Sequence, residues 1–418
     1  MNVLIKSATI VDPHSDFHND TVDILIEKGQ IIAMGTAIKN PKKRKELRLE
    51  NLHVSQGWFD SSVSFGEPGY EERETIANGL DTAALSGFTA VALNSNTNPV
   101  IDTSSDVVFV LSKAGKHATS LYPIGALTKA SEGKDLAELF DMTNAGAIAF
   151  YDYQQPIANP NLMKLALQYA SNFGGLVLSF PQESQISGLG VMNENAMSTS
   201  LGLKGNPSLA ESLQIARDLY ILEYTGGKLH IPTISTAQSV ALIREAKTKK
   251  LDVTCSVAIH NLLLTDAELQ EFKTKYKVLP PLRMKEDLDA LIEGLKDGTI
   301  DMVTSDHNPI DIENKKIEFD HAKYGTIGLE SAFGALNSLF SIKKTIELLT
   351  KGKTRFGIAQ QPIAIGNNAE LSLFNPKGLA LFSSEDILSA SKNAIFEGKE
   401  LKGTVYGSIA NNQLKLKS

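Results

Sequence analysis

The sequence predicts an α/β protein: a (β/α)8 barrel accompanied by a small β-sandwich domain assembled from both chain termini. Two observations carry this. Through the middle of the 418-residue chain, eight short apolar runs alternate with amphipathic helical stretches, the pattern of parallel βα units closing on themselves. Both ends are instead strand-like and turn-rich, with little helical periodicity. Residues 1–53 plus 365–418 are therefore expected to form the composite β domain, and residues 54–364 the barrel.

Taken in order, "NVLIKSATIVD" has the alternating faces of an edge strand, and "TVDILIEKGQIIAMG" reads as strands punctuated at Gly29 and Gly35. The basic run "NPKKRKELR" reads as a solvated hairpin or surface tail. Barrel strands are expected at "VSQGWFD", "FTAVALNS", "SLYPIGAL", "AGAIAFYD", "GLVLSF", "KLHIPTIS", "DVTCSVAI" and "IDMVTSD". Between them, "RETIANGLDTAALSG", "NLMKLALQYASNFG", "PSLAESLQIARDLYILEYTG", "TAQSVALIREAKTKK" and "KEDLDALIEGLKDG" read as helices. Glu67, Pro68 and Gly69 shape a loop; Glu71, Glu72 and Glu74 suit the positive end of the following helix. Trp58 is assigned to the core. The Rossmann alternative lacks its G-x-G-x-x-G after the first strand. "AELSLFNP" and "GKELKGTVYGSIANNQLKLKS" return the chain to the β domain.

A formal net charge of -7 and 21% charged residues offer no basic face for phosphates, which argues against a nucleic-acid partner. Cys255 is the only cysteine, so an internal disulfide and a four-cysteine zinc site are excluded, as suits a reducing cytoplasm. No apolar run approaches the ~20 residues that span a bilayer, and a cytoplasmic location is expected, with no membrane partner.

In such a barrel, function sits at the C-terminal strand ends. These carry Asp60 with Ser62, Ser64 and Gly66; Asn94, Asn96 and Asn98; Asp152 and Tyr153; Phe180; Thr233; His260 with Asn261; and Asp306 with His307. A serine nucleophile at Ser62 or Ser64 would need His260 or His307 as its base. Otherwise His230 reads as a buried, hydrogen-bonded histidine, His260 as a brace for the loop after its strand, and His307 as facing away from the pocket.

"GWFDSSVSFGEPGYEERETIANGLDTAALSGFTAVALNSNTNPVID" resembles the opening of the dihydroorotases, cyclic amidohydrolases whose pattern is an aspartate before H-x-H-x-R-E-P-G and a later P-N-T-x-P-V-x-D. "MNENAMSTSLGLKGNP", "RDLYILEYTGGKLHI", "VTCSVAIHNLLLTD", "PPLRMKEDLDALIEGLKDGTIDMVTSDHNP" and "GLESAFG" resemble further family blocks, in order, over nearly the whole chain. The resemblance implies an amidohydrolase-type barrel, interconversion of carbamoyl aspartate and dihydroorotate, and one or two zinc ions activating water while a last-strand aspartate moves the proton.

Carried over residue by residue, the H-x-H histidines fall on Ser62 and Ser64, and the substrate arginine on Gly66. The strand-four acid falls on Asp152 or, by spacing, on Tyr153; two further histidines fall on Phe180 and Thr233. Asp306 keeps the general-base position and Asn96 a substrate-binding one, whereas Leu279 and Ile310 replace an asparagine and a histidine. What the resemblance then implies is an inactive homologue in UMP biosynthesis, expected to bind no metal and to be a structural or regulatory partner of aspartate transcarbamoylase in a homo- or hetero-oligomer. The alternatives are an active dihydroorotase or other cyclic amidohydrolase with a degenerate site, with zinc as its cofactor, and a module binding a small pyrimidine intermediate.

Overall fold

The computed structural model describes residues 1–417. Eight strands, Trp58–Val63, Phe88–Leu93, Ser120–Gly125, Ala149–Phe150, Leu176–Leu178, Lys228–Ile231, Val253–Ala258 and Met302–Thr304, follow one another in a single parallel sheet. The seam between last and first is tied by the Ser64 N–H donating to His307 O at 2.7 Å. Asp60 clamps the same seam, its carboxylate accepting the Ser305 N–H at 2.9 Å and the Thr304 hydroxyl at 2.5 Å. Helices cover the outside, with Leu80, Leu167, Leu222, Ile243, Leu291 and Leu336 among their buried residues.

The barrel is filled rather than hollow. Phe59, Ala90, Ala92, Ile124, Leu178 and Met302 meet inside it. Phe356 closes the lower end against Phe59, ring centroids 5.4 Å apart, and Tyr151, Tyr153 and Phe180 fill the upper one.

The terminal sheet joins both ends of the chain. Asn2–Ile10 pairs antiparallel with Thr21–Glu27 and parallel with Lys45–Leu47 and His53–Gln56; Leu371–Leu381, Glu400–Ala410 and Gln413–Leu416 continue the sheet beyond His53–Gln56. Thr21–Glu27 turns into Gln30–Gly35 through Lys28 and Gly29, both at positive φ (51° and 83°), the two-residue turn that matches strand twist.

Two expectations are corrected here. "VSQGWFD" is two strands, the first in the terminal sheet and the second opening the barrel. Gly57 makes the break: its N–H donates to Glu370 O at 2.9 Å, and a Cβ there would lie 2.1 Å from Thr89 Oγ1. The basic run is not a hairpin, because Lys45–Leu47 lies parallel to the first strand and Arg44 pairs with Glu27. Trp58 is core as expected, stacked on Phe333 at 5.1 Å with its indole N–H on Ser55 Oγ at 2.9 Å. Among the described residues no helix is long and apolar enough to cross a membrane.

Candidate functional site

Asp306 follows the eighth strand with φ at 48°, a left-handed conformation that turns its side chain into the barrel mouth, where it is 4% exposed. Its N–H donates to Thr304 Oγ1 at 3.0 Å. Its Oδ1 lies 3.3 Å from both the Ser62 hydroxyl and the Tyr153 phenol. Asn94 bridges the serines, its amide nitrogen 3.1 Å from Ser62 Oγ and 3.2 Å from Ser64 Oγ. Ser62, Ser64, Tyr153 and Asp306 are therefore brought together, with Phe180 buried in the same apolar cluster as Tyr153.

Other expected residues fall outside this group. Asn96 makes no hydrogen bond to it, and its Oδ1 is buried without a partner; Asn94, the first residue after the second strand, occupies the bridging place. The signal for Asn94 was its position directly after the strand, masked by three asparagines at alternate positions. The Thr233 N–H donates to Ser256 Oγ at 3.2 Å. Asp152 turns away to accept the Leu127 and Thr128 N–H groups at 2.8 and 3.0 Å, which leaves Tyr153 facing Asp306. Leu279 offers only its carbonyl, to the Gln154 amide at 2.9 Å, and Ile310 is buried.

The histidines are occupied or remote. His230 sits between Thr254 Oγ1 at 2.9 Å and Ser256 Oγ at 3.2 Å, and burial pushes its pKa down to about 3. His307 binds Glu74, which overturns the reading of Glu74 as a mere helix-end charge. His260 does not brace its loop through the ring, whose Nε2 is buried with no partner. Among the described residues no hydrogen bond joins the Ser62 or Ser64 hydroxyl to the ring of His260 or His307, so the serine–base pair is not formed.

Burial, and then the charge of Asp60, push the Asp306 pKa up to about 7 despite the opposing Ser62 and Tyr153 hydrogen bonds. The Tyr153 phenol is held well above its ordinary range by burial and then by Asp306. At neutral pH the mouth thus holds a partly protonated carboxyl among neutral hydroxyls. It can pass a proton, but among the described residues no cation is hydrogen-bonded into this group to hold a substrate carboxylate or polarise a carbonyl.

Nor can the missing arginine be placed on this backbone. Gly66 O accepts the Tyr70 N–H at 2.6 Å, and a Cβ on Gly66 would lie 1.8 Å from Tyr70 O. Zinc fits no better: its expected positions present two serine hydroxyls, a phenol whose proton is hard to remove, a phenyl ring and a threonine. No group of three or more His, Cys, Asp or Glu side chains is placed to hold a metal ion among the described residues.

The family model described as Dihydro-orotase-like matches residues 53–239. Over 99% of this chain and 98% of the relative, the sequence is 38% identical to a dihydroorotase of Pelotomaculum thermopropionicum. The chain belongs to the dihydroorotase family. A dihydroorotase of Geotalea daltonii is 35% identical over 99% of both chains. Among solved structures, L-hydantoinase (dihydropyrimidinase) from Arthrobacter aurescens superposes with a TM-score of 0.84 over 100% of this chain and 97% of its own, at 20% identity. That likeness shows the amidohydrolase-type barrel with its terminal β domain. Within the dihydroorotase family, then, this chain keeps the frame around the mouth while presenting hydroxyls and rings inside it.

Proposed function

We propose that the protein is a catalytically silent dihydroorotase homologue of cytoplasmic UMP biosynthesis that serves as a structural or regulatory partner of aspartate transcarbamoylase. One observation carries this: Ser62 and Tyr153 meet Asp306, and Asn94 bridges Ser62 and Ser64, so that hydroxyl and amide groups occupy the mouth, beside a loop whose Gly66 has no room for a side chain. An apolar stripe supports the partner role. On helix Ser208–Thr225, Leu209, Leu213, Tyr220 and Tyr224 share one outward face at 56%, 45%, 72% and 79% exposure, and apolar side chains gathered on one exposed helix face suit an interaction site.

The test is co-migration on size exclusion with the transcarbamoylase of the same organism. Co-migration lost on Leu213→Glu/Tyr220→Glu supports the reading, and failure of the unaltered protein to co-migrate with or stabilise the transcarbamoylase overturns it. A second reading, hydrolysis of a cyclic amide by a degenerate site, is favoured by Asp306, whose pKa of about 7 suits proton transfer at neutral pH. It requires turnover of dihydroorotate that disappears in Asp306→Ala; no turnover in a zinc-supplemented assay disposes of it.

A further inference from the structure

A cavity of about 150 Å³ lies at the foot of the barrel, the end opposite the mouth, lined by Gln56, Gly57, Lys353, Gln360, Asn368 and Glu370. Through Gln56 and Gln360 it continues into clefts of about 270 and 460 Å³ bordered by His14 and Thr354. Lys353 belongs to the short helix Gly352–Arg355, just before the Phe356 plug.

Two polar groups on this cavity stand out. The Lys353 side chain is 2% exposed, yet its ammonium makes no hydrogen bond among the described residues, and its nearest anion, Glu370 Oε2, is 3.8 Å away on a half-exposed side chain. Elsewhere the fold satisfies its buried lysines: Lys277 Nζ donates to Phe319 O and Asp320 O at 2.6 and 2.9 Å, and Lys315 Nζ to Thr274 O and Lys277 O at 3.0 and 3.1 Å. Gln56 is 8% exposed, and its amide nitrogen donates to Asp12 Oδ1 at 2.9 Å. A carboxylate only accepts, so that bond fixes the amide's orientation and leaves Oε1 buried with no donor.

An ammonium held only by a 3.8 Å ion pair and a carbonyl lacking a donor, on one small cavity, define a ligand by complementarity. We propose that this foot cavity binds a small oxyanion that also carries a proton, of the hydrogen phosphate type, with Lys353 against a charged oxygen and Gln56 Oε1 accepting the O–H. Asn368, Gln360 and Gln361 line the same space with further amide groups. Burial holds the Lys353 ammonium below the usual lysine range, and an anion beside it restores the charged form. The site needs neither activity nor silence at the barrel mouth.

Calorimetric titration of the full chain with inorganic phosphate at pH 7 tests it. Saturable one-to-one binding is expected, with sulfate, which has no O–H at this pH, binding several-fold more weakly. Lys353→Met should weaken phosphate about tenfold or more, the scale of one hydrogen bond to a charged group. Glu370→Gln removes a rim charge from a half-exposed side chain and should tighten phosphate, so it decides the matter should Lys353→Met fold poorly. No binding at millimolar phosphate, equal affinity for sulfate, or affinity unmoved by either substitution would overturn the site.

Discussion

His307 Nε2 donates to Glu74 Oε2 at 2.7 Å, and both side chains are completely buried. The other ring nitrogen accepts the Gly328 N–H at 3.2 Å, which fixes the tautomer with the proton facing Glu74. This pair staples the loop before helix Ile76–Leu85 to the chain leaving the last barrel strand. His307→Phe keeps a ring but strands the Glu74 carboxylate, and we expect a loss of about 3–5 kcal/mol in denaturant unfolding. Adding Glu74→Leu should recover part of that loss, and a double mutant no more stable than the single one would refute the pairing.

Asp306 dictates a stability that falls as pH rises. Its carboxyl is raised in the folded state from the ordinary 3.8 to about 7, so folding favours the protonated form. Its contribution is complete below about pH 4 and is lost as pH climbs through 7. Asp306→Asn, neutral and nearly isosteric, should therefore stabilise the protein at pH 8 by up to about 4 kcal/mol and by almost nothing at pH 4. Urea melts of both proteins across that range check it; a gain independent of pH would contradict the burial of the charge.

His230 and His260 work in the opposite sense. Burial pushes both down from 6.5 to about 3. Their stabilising contribution is present above pH 6.5 and drains away as pH falls toward 3, because only the unfolded chain takes up the protons. His260→Phe, which also removes an unpartnered ring nitrogen, should flatten the acid limb of the stability curve by one proton's slope. An acid limb identical to that of the unaltered protein would show that His260 is not held neutral.

Gly66→Arg, which restores the family's arginine on its own, should destabilise the fold rather than create a substrate grip. The new Cβ would lie 1.8 Å from Tyr70 O, backbone that cannot swing aside as a side chain can. A cost of about 3 kcal/mol or more is expected, read as a lowered Tm with no gain of dihydroorotate binding.

The barrel was legible because each of its strands is a short apolar run bounded by a helical pattern, and the terminal sheet because its alternating runs carry hairpin glycines. The side chains of the mouth were legible in part, since Ser62, Ser64, Tyr153 and Asp306 stand directly at strand ends, where the structure brings them together. Contacts between residues distant in the chain were not. Nothing local in "GYEERETI" separates Glu74, buried against His307 more than 200 residues away, from the exposed Glu71 and Glu72. Likewise, only the strand pairing reveals that Gln56 and Trp58, two positions apart, serve different sheets.

With Phe356 at one end and Tyr151, Tyr153 and Phe180 at the other, the barrel is a solid cylinder. Close-packed interiors compress little and transmit strain. A component of this kind behaves mechanically as a strut, able to hold whatever docks on its helices at a fixed spacing.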